Sequence, residues 1–424
     1  MPNRNTAPSI VPLSAPKLLT PEHFTLDNGT EAIYLHDPNQ EVFKIDVIFE
    51  AGIYYQPSPL IAATTINMLG EGTLHHNAEE IAGIFDYYGA YIDFCCGLNK
   101  SEVSLLSLNK YAEPTVRMLA ELLTESTIPE KELKIFLTNK RQEFLVNQEK
   151  TSYLARKKFA AVLFGANHPY ANQIREQDYT ATTLQQIRSF YQKYIHTRKC
   201  RLVLCGNIND SLLKLVNNAF SYTLAPAPEE DFHTPIFQPE KAGHYPVYKA
   251  PAVQTSIRIG KTGVSLTDPD YAGFMLLNTI LGGYFGSRLM SNIRENKGYT
   301  YGIQSFNVCM PQSSYWCITT EVNKEYTQAT LQEVEKEIRR LQTEPVPSEE
   351  LQLVKNFLHG DILREIDGVF AQADALKHKL NYGLDNRFYT TMIEQIKACT
   401  PAELKQLAQK YWQPEEMYVI TAGE

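Results

Sequence analysis

Apolar and polar positions alternate through residues 30–35 and 42–50 (VFKIDVIFE), the period-two pattern of paired strands, and Ala51-Gly52 ends the second. The period then changes. Residues 60–69 read as a helix stopped by Gly70, and 78–88 as another, with Ile81, Ile84, Phe85 and Tyr88 at helical spacing and Gly89 as its terminator. Two strands, 91–96 and 103–108, lead into helices over about 112–126, 129–149 and 151–163. The amphipathic stretch 183–194 feeds a further strand at 201–205.

Residues 225–233 (APAPEEDFH) carry neither period and are rich in Pro and acid, which marks a boundary. The second half of the chain repeats the order of elements in the first. Thr183, Ile187, Phe190 and Gln192-Lys193-Tyr194 recur as Thr400, Leu404, Leu407 and Gln409-Lys410-Tyr411, each 217 positions later. Leu202-Val203-Leu204 with Gly206 recurs as Val419-Ile420-Thr421 with Gly423 at the same offset. Pro129 to Leu133 matches Pro347 to Leu351 at 218, and Asn67 and Gly89 fall opposite Asn278 and Gly298 at 211 and 209. The drift is that of one unit duplicated with small insertions. The expected fold is α+β, with two homologous domains, each a mostly antiparallel sheet carrying helices on one face. The predicted division is an N-terminal arm at 1–20, a domain at 21–222, a linker at 223–243 and a second domain at 244–424.

Composition narrows the function by exclusion. A chain of 424 residues with 43% hydrophobic and 21% charged positions is ordinary globular material, too long for a single small core. A net charge of −8 disfavours nucleic acid or an anionic membrane as the main partner. No run approaches the roughly 18–20 apolar residues of a membrane span, and the Pro-, Ser- and Thr-rich N-terminus holds no secretory signal pattern, so a cytoplasmic protein is expected. Seven cysteines without regular spacing read as buried free thiols, and no C-x₂-C pair suggests a zinc site. No phosphate-cradling glycine loop or dinucleotide fingerprint occurs. His75-His76 sit in a loop, where neighbouring side chains diverge and make a poor metal pair.

The densest chemistry lies in residues 281–302, LGGYFGSRLMSNIRENKGYTYG. Adjacent glycines, Gly282-Gly283, precede an Arg-bearing segment of helical spacing, and a Gly-Tyr-Thr-Tyr turn leads into a strand. An Arg fork beside a phenol suits a carbonyl oxygen or oxyanion. A structural role is also open, with Arg294 paired near Glu295 and Tyr301 packed beneath the sheet. Tyr299 competes with Tyr301, because strand alternation puts both on one face.

This segment, the element order and the duplication make the chain resemble the pitrilysin or insulinase-type metallopeptidases, especially the small two-domain kind that includes mitochondrial processing peptidase subunits. The resemblance runs from about Thr20 to the end. Its most specific part is Ser287-Arg288-Leu289, Arg294 and, seven positions on, Tyr301. The loop His168-Pro169-Tyr170 after Phe164-Gly165 also fits. Active members carry an inverted zinc motif, His-x-x-Glu-His, shortly before a Gly-Thr. Anchoring on Gly72-Thr73 places the motif at Ala63, Ile66 and Asn67. Ala and Ile offer no lone pair, Ile66 accepts no proton, and a neutral Asn amide is a poor zinc ligand. The third ligand, a Glu on a later helix, falls near Gln148, between Glu143 and Glu149.

Keeping the Arg/Tyr pair without the metal motif is the pattern of one subunit in heterodimeric members of that family. The resemblance therefore implies a non-catalytic, substrate-binding subunit of a zinc-dependent endopeptidase. Arg294 and Tyr301 would bind unfolded peptide at the zinc site of a partner of the same family. No catalytic residue and no metal are expected in this chain, and homodimer formation by the isolated chain stays open. Two alternatives remain: a stand-alone peptide-binding or assembly protein, and a self-sufficient peptidase with a rearranged site.

Overall fold

The strand patterns of the two halves close into two sheets of one design. The computed structural model describes residues 17–195, 200–221 and 234–423. Most of the N-terminal arm and the first half of the linker, including the boundary read at 225–233, lie outside the described residues. Strands β1 (Glu22–Thr25), β2 (Glu31–His36), β3 (Val42–Phe49), β4 (Tyr91–Cys96), β5 (Ser101–Leu108) and β6 (Cys200–Gly206) line up in the order β1-β2-β6-β3-β5-β4. Strands β7 (Gly243–Tyr248), β8 (Gln254–Thr262), β9 (Ile303–Met310), β10 (Ser313–Asn323) and β11 (Tyr418–Gly423) take the order β7-β11-β8-β10-β9. Without β1 the two orders are the same. In each sheet the first and last strands of the half pair in parallel (β2 with β6, β7 with β11) and the remaining pairs are antiparallel. The duplication seen as a sequence offset is thus a repeated topology.

Alternation decides what each face meets. In β3, Phe43, Ile45, Val47 and Phe49 enter the first core with Ile61, Ile66 and Leu119 from the half's own helices. In β8, Ile257 and Ile259 do the same with Phe274 and Ile393. The opposite faces are covered by an exchange that the sequence pattern does not reveal. The helix Thr151–Phe164, from the first half, lays Ala155, Phe159, Val162 and Leu163 on Cys317, Ile420 and Ala422 of the second sheet. Its counterpart Gly368–Tyr382, which starts 217 positions later, lays Val369, Ala373 and Leu376 on Ile33, Ile48 and Val203 of the first. Burial of each such large apolar side chain contributes roughly 1.5–3 kcal/mol. Gly260 permits the close approach, because a Cβ there would stand 2.8 Å from the ring of Phe159 and 2.2 Å from the carbonyl oxygen of Trp316.

Ions lock the second of these contacts, between Gly368–Tyr382 and the first sheet. Asp46, fully buried on β3, meets Lys377 of the exchanged helix at 2.6 Å, Lys44 at 3.1 Å and the hydroxyl of Ser104 at 2.6 Å. Lys377 also reaches Glu102 at 2.7 Å and Asp374 at 3.0 Å. The loop at His168-Pro169-Tyr170 joins the halves at another point. The Tyr170 hydroxyl donates to Asn99 at 2.8 Å and bonds Gln312 at the tip of the β9–β10 hairpin, while His168 stacks on Phe237 at 4.0 Å.

The expected helices form with small end shifts. The helix Ile61–Met68 passes into a tight turn, Leu69–Glu71, rather than stopping at Gly70. The stretch read as one helix over 183–194 is α-helical over Leu184–Phe190 and widens over Tyr191–Ile195, keeping Ile187, Phe190, Tyr191 and Ile195 buried. All seven cysteines are free, but Cys95 is exposed on β4, against the expectation of buried thiols, because neighbouring strand residues face opposite ways.

Candidate functional site

The segment Met290–Asn296 is fastened on three sides before it presents any chemistry. Leu289, Met290 and Ile293 sink into the second core. Arg288 donates from Nε and Nη2 to the two oxygens of Glu350, at 2.9 and 2.8 Å, a fork-to-fork pair with the helix Ser348–Glu365. Asn292 donates to Glu333 at 2.9 Å and Glu337 at 2.7 Å on the helix Thr327–Thr343, and Lys297 reaches Glu333 at 3.1 Å. The Asn292 hydrogen bond, with Lys297 adding its charge, holds the Glu333 carboxyl below the usual carboxylate range.

The segment winds wider than an α-helix, the N–H of Lys297 bonding the carbonyl of Asn292 at 3.1 Å, five residues back. Gly298 then reverses the chain at φ +68°, a left-handed conformation that glycine adopts without a Cβ penalty. Gly282, whose Cβ would lie 2.7 Å from that of Ser305, lets the end of the preceding helix press against β9.

Arg294 and Tyr301 are brought together, though not side chain to side chain. Arg294 donates from Nε to the backbone carbonyl of Tyr301 at 3.0 Å. Its guanidinium lies 4.6 Å over the ring of Phe285, and Nη1 is 4.0 Å from Glu295. Thr300 pins the turn from the other side, donating to the carbonyl of Glu321 at 2.7 Å and accepting from the N–H of Gly302 at 3.1 Å. The phenol of Tyr301 is thereby held out in solvent, 95% exposed, rather than packed beneath the sheet. Tyr299 is not its equal on a strand face, because β9 begins only at Ile303. Tyr299 instead stacks on Tyr326 at 4.5 Å, nearly parallel. A cavity of about 710 Å³ opens beside Tyr301, between Gly283 and Phe285 on one wall and the β8–β10 face on the other.

The degenerate metal helix is filled by other means. Ile66 is fully buried in the first core, and Asn67 donates its side-chain amide to the carbonyl of Ala63 at 2.8 Å. The acids expected near the third ligand position are engaged elsewhere, Glu143 with Lys140 at 2.9 Å and Glu149 with Lys249 at 2.7 Å. These residues do not fit a zinc ion. Among the described residues, no group of three His, Cys, Asp or Glu side chains is arranged to hold a metal. His75 and His76 diverge as expected, pairing separately with Glu125 at 2.9 Å and Glu121 at 2.8 Å. The cavity beside Tyr301 includes Ser152 from the first half but none of Ala63, Ile66 or Asn67, so the two stretches form no common site within the chain.

Two residues of this cavity are not among those the sequence singles out. Arg258 and Ser256 stand on β8 facing it. Their signal is the alternation of QTSIRIGKT, where an Arg falls among small polar residues on the face opposite Ile257 and Ile259.

Comparison with known proteins agrees with this picture. Residues 181–358 match a family model described as the peptidase M16 inactive domain. The chain is 22% identical over 350 residues to a Bacillus subtilis protein named as the uncharacterized zinc protease YmxG, covering 82% of this chain and 84% of that one. It is 22% identical to a Helicobacter pylori protein named as a non-peptidase homolog, YmxG, covering 81% of this chain and 80% of that one. A crystal structure of a peptidase M16 inactive domain from Pseudomonas fluorescens superposes with a TM-score of 0.84 at 25% identity, covering 96% of this chain and 98% of that one. Across residues 181–358 the chain is thus similar to the M16, or pitrilysin- and insulinase-type, peptidases, and its whole fold is similar to that of the Pseudomonas fluorescens domain. At the positions of the inverted zinc motif the chain has Ala63, Ile66 and Asn67, and the matching family model is itself described as an inactive domain.

Proposed function

We propose that this chain is the substrate-binding subunit of a two-chain M16 endopeptidase. A partner of the same family bears the zinc and the general base, and this chain contributes Arg294 and Tyr301 to bind an unfolded peptide there. The observation that carries the proposal is the contrast between the two stretches. Ile66 is locked in the core where a base would be needed, whereas Tyr301 is held in solvent by two backbone anchors with no packing role of its own. Among the described residues Arg294 Nη2 makes no hydrogen bond and is left to offer a peptide carbonyl, and Nη1 is only loosely engaged at 4.0 Å. Both chains act in the cytoplasm, where free thiols such as the exposed Cys95 stay reduced.

The test is reconstitution with a family member carrying an intact His-x-x-Glu-His. Arg294→Ala should reduce turnover of an unfolded peptide without loss of assembly. A scaffolding role without proteolysis is the second reading. It is favoured by one observation, that Arg294 uses Nε on the backbone carbonyl of Tyr301, and it predicts no change in turnover.

A further inference from the structure

The duplication places Asp46 and Arg258 at equivalent positions. Asp46 pairs with Val203 across β3 and β6, and Arg258 pairs with Ile420, which is 217 positions after Val203, across β8 and β11. Both point toward the exchanged helix. Around Asp46 that helix supplies Lys377 and Asp374, and the strands supply Lys44 and Glu102, so every charge there has a partner. Around Arg258 the equivalent helix positions are Ala160 and Lys157, and Lys157 turns away to the carbonyl of Ile174. The first sheet's outer face is ionically closed. The second carries a guanidinium with no counter-ion among the described residues.

The polar contacts show the same imbalance. Arg258 forms no ion pair among the described residues, and its one hydrogen-bond-like contact there is Nη1 to the sulfur of Cys317 at 4.0 Å. Its Nε is buried and unpartnered, as is the hydroxyl of Ser256, a residue only 1% exposed, two positions away on the same face. Both residues line the cavity beside Tyr301, with Gln254, Gln304 and Thr319 as neutral polar neighbours and Glu321 as the one carboxylate among the described residues. Glu321 lies opposite Ser256, not Arg258, in the β8–β10 register, and it does not pair with the guanidinium.

We infer that this cavity takes a peptide carboxylate, with Arg258 as its counter-ion and Ser256 as a second donor. Buried donors left without acceptors favour a ligand that brings them, and a carboxylate suits a guanidinium fork. Glu321 selects against a second negative charge on the ligand beside the first. The inference rests on reading the Tyr301 face as peptide-binding and names what part of the peptide is held.

The test uses the full chain alone, titrated calorimetrically with one short neutral peptide in three forms: free C-terminal acid, C-terminal amide, and amide with a single internal Glu. The acid or the Glu form should bind about tenfold tighter than the plain amide, the order expected of one charge-assisted bond. Preference for the free acid assigns the site to a chain end, and preference for the Glu form assigns it to a side chain. Arg258→Gln should abolish the preference, and Arg258→Lys should retain part of it. Ser256→Ala, a mild change should Arg258→Gln fold poorly, should reduce it. Equal binding of all three forms, no binding of any, or a preference that survives Arg258→Gln overturns the inference. Should Arg294→Ala leave turnover of the reconstituted pair unchanged while the Arg258-dependent preference persists, the composite-site reading fails and the carboxylate site stands.

Discussion

Arg294 holds Tyr301 by its backbone: Nε donates to the Tyr301 carbonyl at 3.0 Å, while the phenol of the same residue stands 95% exposed. The pair is therefore a positioning device, in which the guanidinium fixes the turn and the turn aims the phenol. In the reconstituted peptidase, Arg294→Ala should lower kcat/KM on the order of 10²-fold, the effect of removing one preorganised donor. Stability should fall by only about 1 kcal/mol, the worth of one hydrogen bond. Steady-state kinetics and thermal melting of the same variant separate the two effects.

Tyr301→Phe should leave melting unchanged within about 0.5 kcal/mol, because an exposed phenol has no packing to lose. Turnover in the pair should still fall. A variant with wild-type turnover would mean that the hydroxyl does not touch substrate.

Rebuilding the metal motif should fail in a specific way. Ile66→Glu puts a carboxylate into a fully buried apolar position and should destabilise the chain by more than about 3 kcal/mol, read by denaturant unfolding. The triple change Ala63→His, Ile66→Glu, Asn67→His should therefore yield a poorly folded chain rather than a zinc enzyme.

Lys377 ties the two halves through Asp46, Glu102 and Asp374. Lys377→Met leaves Asp46 with Lys44 as its one ion partner among the described residues, beside the Ser104 hydroxyl, and should cost about 3 kcal/mol. The pH response has a definite sign. Burial works to raise the Asp374 carboxyl, but the Lys377 hydrogen bond and charge, helped by Lys44, prevail and hold it below its ordinary value. A depressed carboxyl stabilises the fold above its unfolded pKa of about 4, and that contribution is lost as pH falls through the lower folded value. The melting temperature should drop below about pH 4, and the part due to Asp374 should be missing in Lys377→Met.

Periodicity makes most elements legible, down to Gly89 as the left-handed stop of the helix Ala78–Tyr88. The offset between Thr183 and Thr400, both of which cap their helices through a matching box, carries the duplication. What stays hidden is long-range. Nothing in the pattern of Thr151–Phe164 says which sheet its apolar side will cover, because a helix shows its period and not its partner. Tyr299 and Tyr301 look like strand neighbours in sequence, but the fastened segment and Gly298 delay β9 to Ile303. Arg258 is silent in sequence because its lack of a counter-ion among the described residues emerges only when its pseudo-equivalent, Asp46, is seen paired with Lys44 and Lys377.

The most direct test mixes the purified chain with a zinc-bearing M16 partner and follows cleavage of an unfolded peptide, with metal analysis of each chain beforehand. The composite site predicts no stoichiometric zinc and no cleavage from this chain alone, and zinc-dependent cleavage from the mixture that Arg294→Ala suppresses. Stoichiometric zinc in the isolated chain, with peptide hydrolysis that chelation abolishes, would contradict it.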